Sequence, residues 1–173
     1  QAAIALLEKG IEHNPEQWRL YQDLGYIYWQ MGDFGKAAEV YDEGSKVPGA
    51  LWWMRDLAGL MRIKGGSREV ARGIYSTYLT SDDANIRSHA LFRLKLLKAM
   101  DEIDAVNALA AKYRGETGRC PSSLRVLAKW LQAAGVDLND DGDPVDPDGY
   151  PFSWDSSSCR AAVSVASDLP RTL

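Results

Sequence analysis

The segment Tyr21-Gln-Asp-Leu24-Gly25-Tyr26-Ile-Tyr28, followed by Gly32, Ala37 and Tyr41, forms the centre of a 34-residue stretch, Trp18 to Leu51, whose reading decides the fold. Tyr21, Leu24, Gly25 and Tyr28 fall on one face of a helix, Gly32 supplies a turn, and Ala37, Tyr41 and Gly44 fall on one face of a second helix. A shift of 34 residues reproduces the pattern: Ala3, Ala37, Ala71 and Ala105 are in phase, as are Leu7, Tyr41, Tyr75 and Leu109. Gly25 matches Gly59, Gly32 matches Gly66, and Trp18 matches Trp52. A fixed period of this length marks a helical solenoid, because one helix pair cannot bury its apolar face alone and must stack on its neighbours.

The repeat resembles the tetratricopeptide repeat. The expected fold is therefore mainly α: a solenoid of about three and a half repeats over residues 1–114, then a small α+β module with a hairpin over 115–173. Gly25 and Gly59 are expected to let the paired helices meet backbone to backbone. Helices are expected at about 2–12, 16–30, 34–46, 50–64, 67–79, 84–99 and 102–114, with Asn14 capping the second and Pro15 opening it. Later copies drift, since Arg93 replaces the repeat glycine and Met100 the turn glycine. The resemblance implies a binding or scaffolding role and no catalysis.

Such solenoids bind with the face made by the first helix of each pair. The positions not spent on packing give Arg19, Gln22, Tyr26 and Trp29 in one repeat, Trp53, Leu57, Leu60 and Lys64 in the next, and Leu91 and Leu94 in the third. A groove this apolar marks an interaction site. A protein or peptide partner and the chain's own C-terminal segment both remain candidates to cover it. Ala2 to Gly10 reads as a second helix without its first, apolar on more than one side, with Ile4, Leu6, Leu7 and Ile11. This edge is expected to be covered, either by upstream repeats or by a neighbouring copy. Head-to-tail self-assembly into a larger complex or filament is therefore the alternative to a scaffold.

After Arg114 the period ends. A helix opened by Cys120-Pro121 is expected to run to about Ala134, with strands at Phe152–Trp154 and Ala161–Val165. Asp146-Pro147-Asp148-Gly149-Tyr150-Pro151-Phe152 resembles the Asp-Pro-x-Gly-x-Pro-aromatic segment of major pseudopilins of type II secretion, which implies a shared C-terminal architecture of helix, loop and hairpin. The hydrophobic N-terminal helix of that family is missing.

Six Asp fall between Asp137 and Asp148, and without them the net charge of −4 would be +2. Asp137, Asn139, Asp141, Gly142, Asp143 and Asp148 follow the spacing of an EF-hand-like calcium loop, with hard oxygen ligands throughout. Ca2+ and a solvated acidic turn are the two readings. Pro144, a terminal Asp in place of Glu, and the lack of a following helix depart from the pattern. Cys120 and Cys159 bracket the module, which suggests a disulfide and a periplasmic or extracellular setting. Two free thiols in the cytoplasm are the alternative.

No apolar run has the length of a membrane span. A sequence pI near 5.2 and scattered basic residues disfavour nucleic acid. His13 and His89 lie in different repeats, and Lys64-Gly65-Gly66-Ser67 lacks phosphate-loop spacing. The expectation is a non-enzyme with protein partners.

Overall fold

A computed structural model describes residues 1–171. The chain divides into two compact units, Gln1–Ala90 and Leu91–Leu173. The first contains α1 (Ala2–His13), α2 (Trp18–Gln30), α3 (Phe34–Ser45), α4 (Trp53–Lys64) and α5 (Arg68–Tyr78), each packed on the next. α6 (Ala84–Thr117) begins in the first unit and continues into the second. A 3-10 turn (Leu124–Leu127), α7 (Ala128–Ala133) and the strands β1 (Ser153–Asp155) and β2 (Arg160–Ala162) complete the described elements.

In the first unit the sequence period is a packing period. A side chain on Gly25 would place its Cβ 2.8 Å from the Tyr41 ring, and one on Gly59 would place it 2.6 Å from the Tyr75 hydroxyl. The expected backbone-to-backbone contact is thus a contact of backbone with a ring: each glycine makes room for the tyrosine sixteen residues on. Tyr41 and Tyr75 are fully buried, together with Ala37, Met54, Ala58, Met61 and Ala71. Gly44 is tighter still, since a Cβ there would meet Met54 Cε and Tyr21 Cβ at 2.5 Å.

The turns repeat as well. Gly32 has φ +76° and Gly66 φ +81°. The Gly32 amide bonds Trp29 O while that of Asp33 bonds Tyr28 O, and Gly66 and Ser67 bond Ile63 O and Arg62 O in the same way. This is the Schellman termination, whose left-handed residue glycine adopts without steric cost. Met100 occupies that phase in the next repeat, Arg93 stands at the ring-accepting position and Leu109 at the ring. The break expected near residue 100 does not occur, and residues 84–117 form one unbroken helix. Turn glycine, small residue and ring are lost together, and with them the reason to fold back.

Asn14 also differs from expectation. Its amide closes α1 on Gly10 O and its carbonyl accepts from Gln17, so Asn14-Pro15-Glu16 is a turn and α2 starts at Trp18. α1 has no buried residue: Ile4, Leu7 and Ile11 pack partly on the core while Leu6 stays 73% exposed.

In the second unit, Val106 and Ala110 of α6 pack with Leu124, Leu127, Leu131, Val136, Phe152 and Ala161. The strands are antiparallel, with Ser153 opposite Ala162, Trp154 opposite Ala161 and Asp155 opposite Arg160. The first has the expected length shifted by one residue, and the second is shorter than its alternation suggests. Trp154 Nε1 donates to Pro121 O at 3.0 Å, and Asn107 Oδ1 accepts the Ala161 amide at 2.9 Å. Cys120 and Cys159 are joined by a disulfide with Cα atoms 5.6 Å apart.

The two kinds of helix glycine should separate on mutation. Gly44→Ala should destabilise by about 1–3 kcal/mol through overpacking. Gly73→Ala, in α5 with nothing within 4 Å of the new Cβ, should stabilise by about 0.5–1 kcal/mol. Denaturant midpoints of the two variants check this, and a shift of the same sign in both would contradict it.

Candidate functional site

α2 and α4 are the first helices of their pairs, and their free positions carry the predicted binding residues. Tyr26 is 51% exposed and meets Trp29 edge-on, with ring centroids 5.7 Å apart. Trp29, Trp53, Leu57 and Leu60 are half-buried, resting on the core below. Trp53 meets Trp18 of α2 edge-on at 5.8 Å, and the Arg19 guanidinium lies 4.6 Å over the Trp18 ring. Gln22 and Lys64 are half-buried and Arg19 is exposed. The structure therefore gathers eight of the ten predicted residues on two helices of the first unit. Leu91 and Leu94 belong to the second unit, where Leu91 is exposed and Leu94 half-buried.

One polar cluster in this unit was not expected. Asp56 of α4 is buried, and its Oδ1 lies 2.8 Å from His89 Nε2 and accepts from the Tyr75 hydroxyl at 3.1 Å. His89 also meets Trp52 edge-on at 5.3 Å. The group ties α5 and the start of α6 to α4. The available signal was a carboxylate among the apolar residues of α4.

The acidic loop of the second unit is ordered by its own turns and by basic side chains. Asn139 Oδ1 accepts the Asp143 amide at 2.9 Å, and Gly142 has φ +80°. Asp146 is buried, and its Oδ1 accepts the amides of Asp148 and Tyr150 at 2.9 and 3.0 Å. Asp137 takes Lys98 at 2.6 Å, Asp143 takes both arms of Arg125 at 2.5 and 2.6 Å, and Asp148 takes Lys95. The fork from Arg125 holds the Asp143 carboxyl below its usual range. Asp141 is exposed. As arranged, the oxygens of Asp137, Asp143 and Asp148 face protein cations and that of Asn139 a backbone amide. Among the described residues no three acidic, histidine or cysteine side chains converge as metal ligands do.

Beneath the loop lies Glu102 of α6, buried, with neither carboxylate oxygen hydrogen-bonded and Lys98 Nζ 3.4 Å from Oε1. Burial pushes its carboxyl up to about 7, Lys98 offsets part of that, and the Asp137 and Asp146 charges add to it.

Residues 1–53 match the family model of the tetratricopeptide repeat. The match covers α1 to α3 and ends at Trp53, so it does not reach the segment compared above with pseudopilins. No curated protein matches the chain, and no solved structure does. No described helix is long and apolar enough to cross a membrane.

The pKa of Glu102 is raised on folding, so the folded chain holds this proton more tightly than the unfolded chain does. The resulting stability is complete below the ordinary carboxyl range and is lost as pH rises through about 7. Glu102→Gln should then stabilise the protein at pH 8 by on the order of 1–2 kcal/mol relative to its effect at pH 4. Urea unfolding of both proteins at the two pH values measures this, and an equal effect at both would refute it.

Proposed function

We propose that this protein is a protein-binding scaffold whose first unit takes an extended or helical peptide segment across the face of α2 and α4. The observation that carries the reading is Tyr26, half-exposed beside Trp29 on a face continued by Trp53, Leu57 and Leu60. Aromatic side chains resting on a packed core and open on one side are the usual anchors of an interface, because they bury large area with little loss of side-chain freedom. The tetratricopeptide match over residues 1–53 supports the same role, since such repeats serve interaction rather than catalysis. Self-assembly through α1 is the weaker reading. Its strongest feature is Leu6, while Ile4, Leu7 and Ile11 already rest on the core.

The second unit, in this reading, is a stabilised appendage of pseudopilin-like plan. Support comes from the order of short helix, acidic loop and hairpin, closed by the Cys120–Cys159 bond. The disulfide favours an oxidising compartment outside the cytoplasm.

Peptides selected by display against the intact protein test the first claim. Their affinity should fall roughly ten-fold or more in Tyr26→Ser and in Leu57→Ser. It should be unchanged in Val70→Ser, an exposed position on α5. Equal binding by all three variants would remove the α2 and α4 face from consideration.

For the acidic loop we propose neutralisation by Lys95, Lys98 and Arg125, with calcium as the competing occupant. Melting temperatures that agree between calcium and chelator support the internal pairs. A saturable rise in calcium that disappears in Asp141→Ala would assign the loop to the ion.

A further inference from the structure

The second unit contains a hollow of roughly 570 Å³ between the last turns of α6 and the end of the hairpin, lined by Asn107, Arg114, Ser158, Cys159 and Arg160 among others. No acidic side chain lines it. Arg114 and Arg160 make no ion pair or side-chain hydrogen bond among the described residues, in a unit where Lys95, Lys98 and Arg125 are all engaged by aspartates. Arg160 stands opposite Asp155 in the hairpin register. That carboxylate is already taken: it accepts the Ser157 amide and the Ser157 and Ser158 hydroxyls at 2.9, 2.6 and 2.7 Å. These bonds hold Asp155 down to about 2, so it stays ionised yet directed at the turn.

The remaining lining offers donors. Asn107 Oδ1 is used by the Ala161 amide, which leaves its NH2 as the part with no described partner. Cys159 has φ +55° and is the only described residue other than glycine with positive φ. A left-handed non-glycine residue occurs where the surroundings dictate it, and here the disulfide to Cys120 holds it at the rim.

We propose that this hollow binds a small organic oxyanion, a carboxylate or phosphate ester, gripped by Arg114 and Arg160. Guanidinium groups present paired N–H donors that match both oxyanion types. Arg114, Ser158 and Arg160 are exposed and Asn107 is half-buried, so the hollow is open to solvent and an anion reaches both guanidinium groups directly. The plainer account, a basic residue serving the carbonyl end of a helix, covers Arg114. It leaves Arg160 unexplained, because that residue lies on β2.

The site can be tested on the intact, oxidised protein by amide NMR titration with inorganic phosphate and with citrate at constant ionic strength. Saturable shifts at residues 114–118 and 158–161 are expected, and the affinity should fall roughly ten-fold in Arg160→Gln and again in Arg114→Gln. Binding of phosphate alone assigns the phosphate-ester class, and binding of citrate alone the carboxylate class. Wild-type spectral dispersion elsewhere shows that the variants are folded. Shifts with neither probe, shifts that do not saturate, or undiminished affinity in the double variant would overturn the proposal.

Discussion

The first unit depends on a contact between a tyrosine ring and a helix backbone from which the side chain has been removed. At Gly25 and Gly59 even one methyl group would lie within 3 Å of the facing Tyr41 or Tyr75. The aromatic ring of the second helix can then be fully buried while the two helices remain close. The small residues around it fit the same close approach: alanines at 37, 38, 58 and 71 are fully buried, and the left-handed glycine at the turn fixes where the chain reverses. Burying a ring of this kind contributes about 1.5–3 kcal/mol, so the contact is both the spacer and a main source of cohesion.

The second unit solves a different problem, that of six aspartates in twelve residues. Local turns handle part of it, since Asp146 and Asn139 spend oxygens on backbone amides of their own loop. Lysines from α6 and an arginine from the 3-10 turn take Asp137, Asp148 and Asp143, while Asp140 and Asp141 lie exposed to water. Bidentate pairing with Arg125 fixes orientation as well as charge. What this arrangement leaves without a hydrogen bond is Oδ2 of Asp146 and both buried oxygens of Glu102, which have only a lysine at 3.4 Å. Glu102 holds its proton toward neutral pH, because burial outweighs that single attraction.

Much of the first unit was legible because its determinants recur: a glycine, a ring and a turn glycine at the same phase can be counted without knowing any distance. The loss of the third pair was legible in the same residues, at Arg93, Met100 and Leu109, although the apolar pattern alone suggested two helices. Asn14 misled because a residue suited to cap one helix is equally suited to end the preceding one, and the choice rests on the Gly10 bond. The acidic loop was legible only in part, for a different reason. Its oxygen spacing is a local pattern, whereas the basic partners come from 18, 39 and 53 residues away, and no spacing within the loop reports them. The Asp56, His89 and Tyr75 cluster is likewise a product of tertiary contact.

The proposed binding face is limited in size by the same contact. A first helix presents its free side chains as a surface only when its other side is held by a partner helix, and the Gly-to-ring contact supplies that hold for α2 and α4. α6 has Arg93 at the corresponding place and no reversal after Met100, so nothing of that kind orients Leu91 and Leu94. Under the proposed scaffold role, a partner meets two helices' worth of side chains, centred on Tyr26 and Trp29 at one end and Leu57 and Leu60 at the other. At 1.5 Å of rise per residue, a helix of twelve or thirteen residues is roughly 20 Å long. This suits a short segment of a partner chain better than a broad domain surface. In that proposed role specificity comes from the few polar positions, Arg19, Gln22 and Lys64, because the apolar centre accepts any side chain of suitable size.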